Sequence, residues 1–225
     1  MDPLTVEKLT SKADERLVEE EMAKFEQEML NIKSIPIHEF AKSGNLTGVK
    51  RQVTSGVKPN VADGDGRQAI HLAAINGHVG IVKYLHEQGV SLTVQDHSGR
   101  QPLHAATVGA KQKVVRWLIE QHVPVDARDK KGRNVFHLAA LGGSHKLLRW
   151  LLTFITTTVS TEAGRAMHLC DKDNNTALHF AAQRGHVPAI EYLVEEGLRV
   201  DDQNIVRGMM IRNHNLFSSW TAGYG

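Results

Sequence analysis

One interval constrains this chain more than anything else in it. His38, His71, His104 and His137 are each separated by 33 residues, and His179 follows 42 residues after His137, one period plus nine. The neighbours return with the histidine, in IPIHEFAKSGN, QAIHLAAINGH, QPLHAATVGAK, NVFHLAALGGS and TALHFAAQRGH. Asp63, Asp96, Asp129 and Asp171 stand eight residues before four of the histidines, Gly66, Gly99, Gly132 and Asn174 five before, and Leu85, Leu118, Leu151 and Leu193 fourteen after. Self-similarity at such a period means a row of like units, so the fold must be one supersecondary piece used several times. A lone imidazole in an apolar run, as at His71, could be a ligand, a catalyst or part of the packing. An imidazole at one place in every unit points to a repeated local job.

The spacing inside a unit is helical. In the second unit Ile70, Ala73, Ala74 and Gly77 make a short helix with a small-residue face, and Ile81, Val82 and Leu85 recur at three and four residues on a second helix. Small side chains allow paired helices to approach closely. Gly77 and its counterparts Gly44, Gly143 and Gly185 are placed to end the first helix, where a left-handed cap suits glycine. Helices of about eight to ten residues fall below the roughly 12 to 15 needed for stability alone, so neighbouring pairs must hold them. A stack follows.

These residues resemble the ankyrin repeat family in period, turn, helix start and Ala-Ala pair, over about residues 34–202. The departures are Phe40 where alanine is usual, Thr107 and Ala110 at the second Ala and the Gly position, and an insertion before the last unit. The resemblance implies an all-α solenoid of stacked helix-turn-helix units with β-turn or hairpin fingers, preceded by an N-terminal helix. The chain then divides into an acidic helix at 1–33, repeats at 34–62, 63–95, 96–128, 129–170 (insertion 153–168) and 171–202, and a divergent tail at 203–225. The resemblance also implies that the five histidines anchor the helix starts and bridge backbone groups of the turn or the next unit. Equivalent side chains on stacked units lie roughly 8 to 10 Å apart, too far to share an ion. His168 and Cys170 look like a ligand pair, but no second pair with zinc spacing appears, so neither metal nor cofactor is expected.

Outside the repeats, residues 11–32 read as one helix opened by Ser11 with Asp14 three residues on, a capping-box spacing. Val18, Met22, Phe25, Met29 and Ile32 form an apolar seam about two heptads long, suited to cap the first unit, to meet a partner or to dimerise. Residues 1–34 hold nine acids against five bases, which leaves +6 on the rest of a chain whose net charge is +2. That excess, without a clustered basic stripe or interleaved aromatics, argues against nucleic acid. Thr156, Thr157, Thr158, Ser160 and Thr161 make the insertion β-branched and hydroxyl-rich, a poor helix continuation that reads as a protruding loop, either a tolerated insertion at a surface connection or a contact or phosphorylation site. The tail from 203 lacks a helix pair, so it either folds back as a cap or marks a piece of a longer array. One cysteine, Cys170, fits a reducing compartment, and the longest apolar run, Leu147 to Ile155, is broken by Arg149 and too short to span a membrane. With no signal peptide in view, the expected location is cytoplasmic or nuclear.

Two functional classes remain. One is a non-catalytic interaction module, a scaffold or adaptor that binds another protein or peptide through its concave face and finger turns. Its expected contacts are Asp65, Arg67, Asn76, His97, Arg100, Val108, Lys130, Arg133, Leu141, Asn175 and Arg184, periodic positions with non-repeating chemistry. Arg67, Arg100 and Arg133 also recur at 33, with Lys130 and Lys131 beside the last, and form either an ordinary solvated turn edge or a basic ladder for an acidic partner. The other class is an enzyme, or the regulatory or substrate-recruiting front of a longer enzyme or channel. No phosphate loop, G-x-S-x-G or H-E-x-x-H is present, and no catalytic residue can be named. A monomer is expected, with dimerisation through 11–32 as the alternative.

Overall fold

The computed structural model describes residues 36–158 and 165–198, and among them ten α-helices are arranged as five pairs. The pairs are α1 (Ile37–Ser43) with α2 (Leu46–Thr54), α3 (Ala69–Asn76) with α4 (Val79–Glu87), α5 (Pro102–Val108) with α6 (Gln112–Glu120), α7 (Val135–Leu141) with α8 (His145–Thr158), and α9 (Ala177–Arg184) with α10 (Val187–Glu195). A turn of two or three residues joins the members of each pair. The first helices form one layer, each packed on the next, and the second helices form the layer behind. The molecule is an all-α repeat solenoid.

Small residues make the first layer possible. Ala73, Ala74, Ala106, Ala139, Ala140 and Ala181 are buried between these helices, and at Gly109 the backbones nearly touch: a Cβ there would collide with the Ile75 carbonyl of α3. Between the layers Leu85, Leu118, Leu151 and Leu193 are fully buried, one in each of the last four pairs. A seven- to nine-residue helix has too few backbone hydrogen bonds to persist alone, so this shared burial is what keeps each one folded.

The first helices begin from Gln68, Gln101, Asn134 and Thr176 in extended backbone. Most end at a glycine in the left-handed region, as at Gly77 with φ 92°. The third unit has Ala110 there at φ 52°, so an L residue is held where glycine would be unstrained.

The insertion differs from the sequence expectation. Helix α8 runs on through the threonines to Thr158 and does not open into a loop at 153. Two things carry it: Ile155 is fully buried, and Thr153, Thr156 and Thr157 donate their hydroxyls to the carbonyls of Arg149, Leu152 and Thr153 at 2.9, 2.9 and 2.8 Å. Tertiary burial overrides a weak local preference. The helix expected at 11–32 and the tail at 203–225 lie outside the described residues.

Candidate functional site

Each first helix is preceded by a tight finger, closed by an aspartate. In the second unit Asp63 N–H donates to Arg67 O at 2.9 Å and Gly66 N–H to Asp63 O at 2.9 Å, and the same pattern closes the fingers at Asp96, Asp129 and Asp171. The carboxylate then folds inward: Asp129 Oδ1 accepts from the backbone N–H of Lys131 and Arg133, both at 2.9 Å, and Oδ2 from Arg133 Nε and Nη2 at 2.8 and 2.6 Å. Adjacent fingers are linked by backbone: His97 N–H to Asp65 O, Lys130 N–H to Ser98 O and Lys172 N–H to Lys131 O, each 2.9 Å. The turn glycine is required twice over. Gly99 has φ 75°, and a Cβ on it would stand 2.8 Å from Lys130 N of the next finger.

This geometry corrects the picture of a free basic ladder. Arg67, Arg100 and Arg133 each pair with the finger carboxylate, Asp63, Asp96 and Asp129, at 2.9, 2.9 and 2.6 Å, and Arg67 also reaches Asp65 at 2.9 Å. Their charge is spent in building the turn. Burial pushes the Asp63 and Asp96 carboxyls up, yet the backbone and guanidinium hydrogen bonds from Arg67 and Arg100 outweigh it and hold both below the usual carboxylate range. On the last two fingers, exposed positive charge lies instead on Lys130, Lys131 and Lys172.

The histidines tie finger to helix. His71 Nδ1 accepts from Gln68 N–H at 3.1 Å, which places the single proton of the neutral ring on Nε2, and Nε2–H then donates to Val94 O and Arg100 O at 3.1 and 3.0 Å. His104 does the same between Gln101 N–H at 3.0 Å and Ala127 O at 2.9 Å. His38 Nε2 reaches Val61 O and Arg67 O, and His179 Nδ1 takes the Thr176 N–H. At His137, Nε2 meets Asn175 O at 3.1 Å while Nδ1 lies 2.6 Å from Asn134 Oδ1. Burial lowers the pKa of His71, His104 and His137, against the pull of the Asp96, Asp129 and Asp171 carboxylates. His78 and His186 add a second link, meeting the carbonyls of Lys42 and Leu141 one unit back at 3.1 and 3.2 Å.

The open side of the first layer is a face made of positions i, i+3 and i+4. Leu72, Ile75 and Asn76 of α3 point away from the buried Ala73 and Ala74. The equivalent places hold Ala105, Val108 and Gly109 on α5, then Leu141 and Gly142 on α7, where Leu138 is instead buried. Of the contacts expected from sequence, Asp65, Asn76, His97, Val108, Lys130 and Arg184 are exposed, while Arg67, Arg100, Arg133, Leu141 and Asn175 are half-buried. Val108 leaves 39% of its surface in the open on this face. Among the described residues no group of three His, Cys, Asp or Glu side chains could hold a metal, and no helix is long and apolar enough to cross a membrane.

Sequence reasoning missed Ile75 and Lys172 as surface residues, and it missed a ladder on the second-helix layer. Lys50 lies over the Tyr84 ring at 5.4 Å, Lys83 over Trp117 at 5.8 Å, Arg116 over Phe154 at 5.6 Å and Arg149 over Tyr192 at 5.2 Å, each cation reaching one unit forward. The signal was present, since Lys50, Lys83, Arg116 and Arg149 recur at 33 residues.

A family model described as ankyrin repeats (3 copies) matches the chain at residues 37–129 and again at 109–204. No curated protein matches it.

Proposed function

Taking as its premise that the chain belongs to the ankyrin repeat family, whose members are in general protein–protein interaction modules and typically non-catalytic, we propose that it is an adaptor gripping a polypeptide on its concave face. The observation that carries this reading is the contrast between positions. The buried places repeat Ala, Leu and His from unit to unit, whereas the open places of the first helices change from Asn76 to Gly109 to Arg184. Stacking needs the first kind of residue and recognition of one partner needs the second. Contacts are assigned to Asn76, Val108, Leu141 and Arg184 on the helices and to His97 and Lys130 on the fingers. An acidic partner would meet Lys130 and its neighbours, not the paired arginines.

Affinity capture with the full chain tests this. Charge reversal at Arg67, Arg100 and Arg133 would unpair the finger aspartates and so disturb folding, which makes the exposed Asn76→Arg and Val108→Arg the cleaner substitutions. A protein retained by the parent and lost from both variants, with unfolding midpoints unchanged, is expected. The same proteins recovered from all three chains would refute the assignment.

A further inference from the structure

The open side of the first-helix layer is apolar in the middle and carries exposed lysines at the fingers of its last units. Ile75, Val108 and Leu141 occupy one register of α3, α5 and α7, and Lys42 and Gln183 take that register on the flanking helices. The next register holds Asn76 on α3 but only Gly109 and Gly142 on α5 and α7, where the helices pack closely and no side chain covers the apolar row. Lys130, Lys131 and Lys172 stand exposed at the fingers beyond it, with Asp126 and Asp173 as the exposed acids nearest in the chain. None of these lysines is in an ion pair among the described residues. The first helices there contribute a single acid, Glu39, which lies 3.8 Å from Lys42.

We propose that this apolar row is the docking site of the chain's own N-terminal segment, residues 11–32, which thereby competes with a partner for the face; the inference rests on the reading of that face as the partner site. The segment has the matching chemistry. It carries the seam of Val18, Met22, Phe25, Met29 and Ile32, and residues 1–34 have nine acids against five bases. Its point of attachment is also right: it joins α1 two residues before His38, whose ring binds the first finger at Val61 O and Arg67 O, so it enters at the finger edge of the face. The lengths agree as well. A helix advances roughly 10 Å per heptad and packed helices lie roughly 8 to 10 Å apart, so one heptad spans one unit. Counted back from Lys33, Glu19, Glu20 and Glu21 fall roughly two units along and Asp14 and Glu15 roughly three, the second group beside the finger of Lys130 and Lys131. Acid then meets base while the seam lies over Ile75 and Val108.

Amide hydrogen exchange on the full chain tests the docking, with Val108→Asp and the double substitution Lys130→Glu, Lys131→Glu made at exposed positions. Protection over residues 11–32 is expected in the parent and should fall about tenfold in both variants at every chain concentration. Reversal of Asp14 and Glu15 to Lys should restore part of it in the Lys130→Glu, Lys131→Glu chain. Equal protection in parent and variants overturns the proposal. Protection that rises with chain concentration also overturns it, because a second copy would then be the occupant. If the segment is unprotected while Val108→Arg still abolishes capture, the docking fails and the partner site stands; if the segment docks and no capture depends on the face, the reverse holds.

Discussion

Acid should loosen this stack through two particular imidazoles, and the size of the effect can be worked out. His71 and His104 are buried, each accepts a backbone N–H at Nδ1 and donates from Nε2, and burial lowers the pKa of both. A second proton would have to go on Nδ1, facing the Gln68 or Gln101 N–H, so it would break that bond and leave two donors opposed. Because both folded values lie below the ordinary value of about 6.5, the unfolded chain binds more protons than the folded one once the pH drops below that point. Stability is therefore fully present above about pH 6.5 and is lost as the pH falls from there toward the folded values. At about 1.4 kcal/mol per unit, a pH of 5 removes at most about 2 kcal/mol for each ring and about 4 kcal/mol for the pair, a large share of an ordinary domain's stability. Asp96 and Asp129 beside the rings pull the other way and keep the loss under that ceiling. The carboxyls of Asp63 and Asp96, held low, weaken the fingers only in more acidic solution, which leaves this window to the histidines. Urea unfolding of the full chain between about pH 7.5 and 5, paired with histidine Cε1–H titration by NMR, reads both quantities. His137, which also accepts a backbone N–H at Nδ1 and is lowered by burial, should join them in the same direction. A free energy that does not change across the range, or His71 and His104 titrating at the ordinary value, would refute the reasoning.

Two substitutions probe the packing. Leu118→Ala empties a fully buried site between the layers and should lower stability by about 2 to 5 kcal/mol, and an unchanged denaturation midpoint would place Leu118 outside the core. Gly109→Ala sets a methyl against the Ile75 carbonyl, a backbone atom that cannot rotate aside, and should cost about 1 to 3 kcal/mol with hydrogen exchange rising in α3 and α5; a chain as stable as the parent would mean the two helices do not approach so closely.

The fold could be read from the chain because its determinants are periodic. A residue such as Leu85 is buried for the same reason as Leu118 and Leu151, so one position decoded serves for all. The candidate site was less legible because recognition positions do not repeat. Val108 and Leu141 could be picked out singly, but their union with Ile75 into one apolar row needs the register of three packed helices. The arginines misled for a different reason. Asp129 and Arg133 are four residues apart in plain view, yet spacing within a turn does not say whether a guanidinium folds back onto its carboxylate or reaches into solvent. The threonines after Leu152 read as a helix ending, because local preference is visible in sequence and the burial of Ile155 is not.

The finger links make the chain divisible. His97 N–H on Asp65 O and Lys130 N–H on Ser98 O are the same joint made at successive places, so excising residues 66–98 would leave Asp65 to receive Lys130, and Asp63 to receive Arg100, without a new kind of contact. A reading-frame-preserving loss or gain of one such block changes how many handholds the protein offers, and leaves the way they are joined untouched.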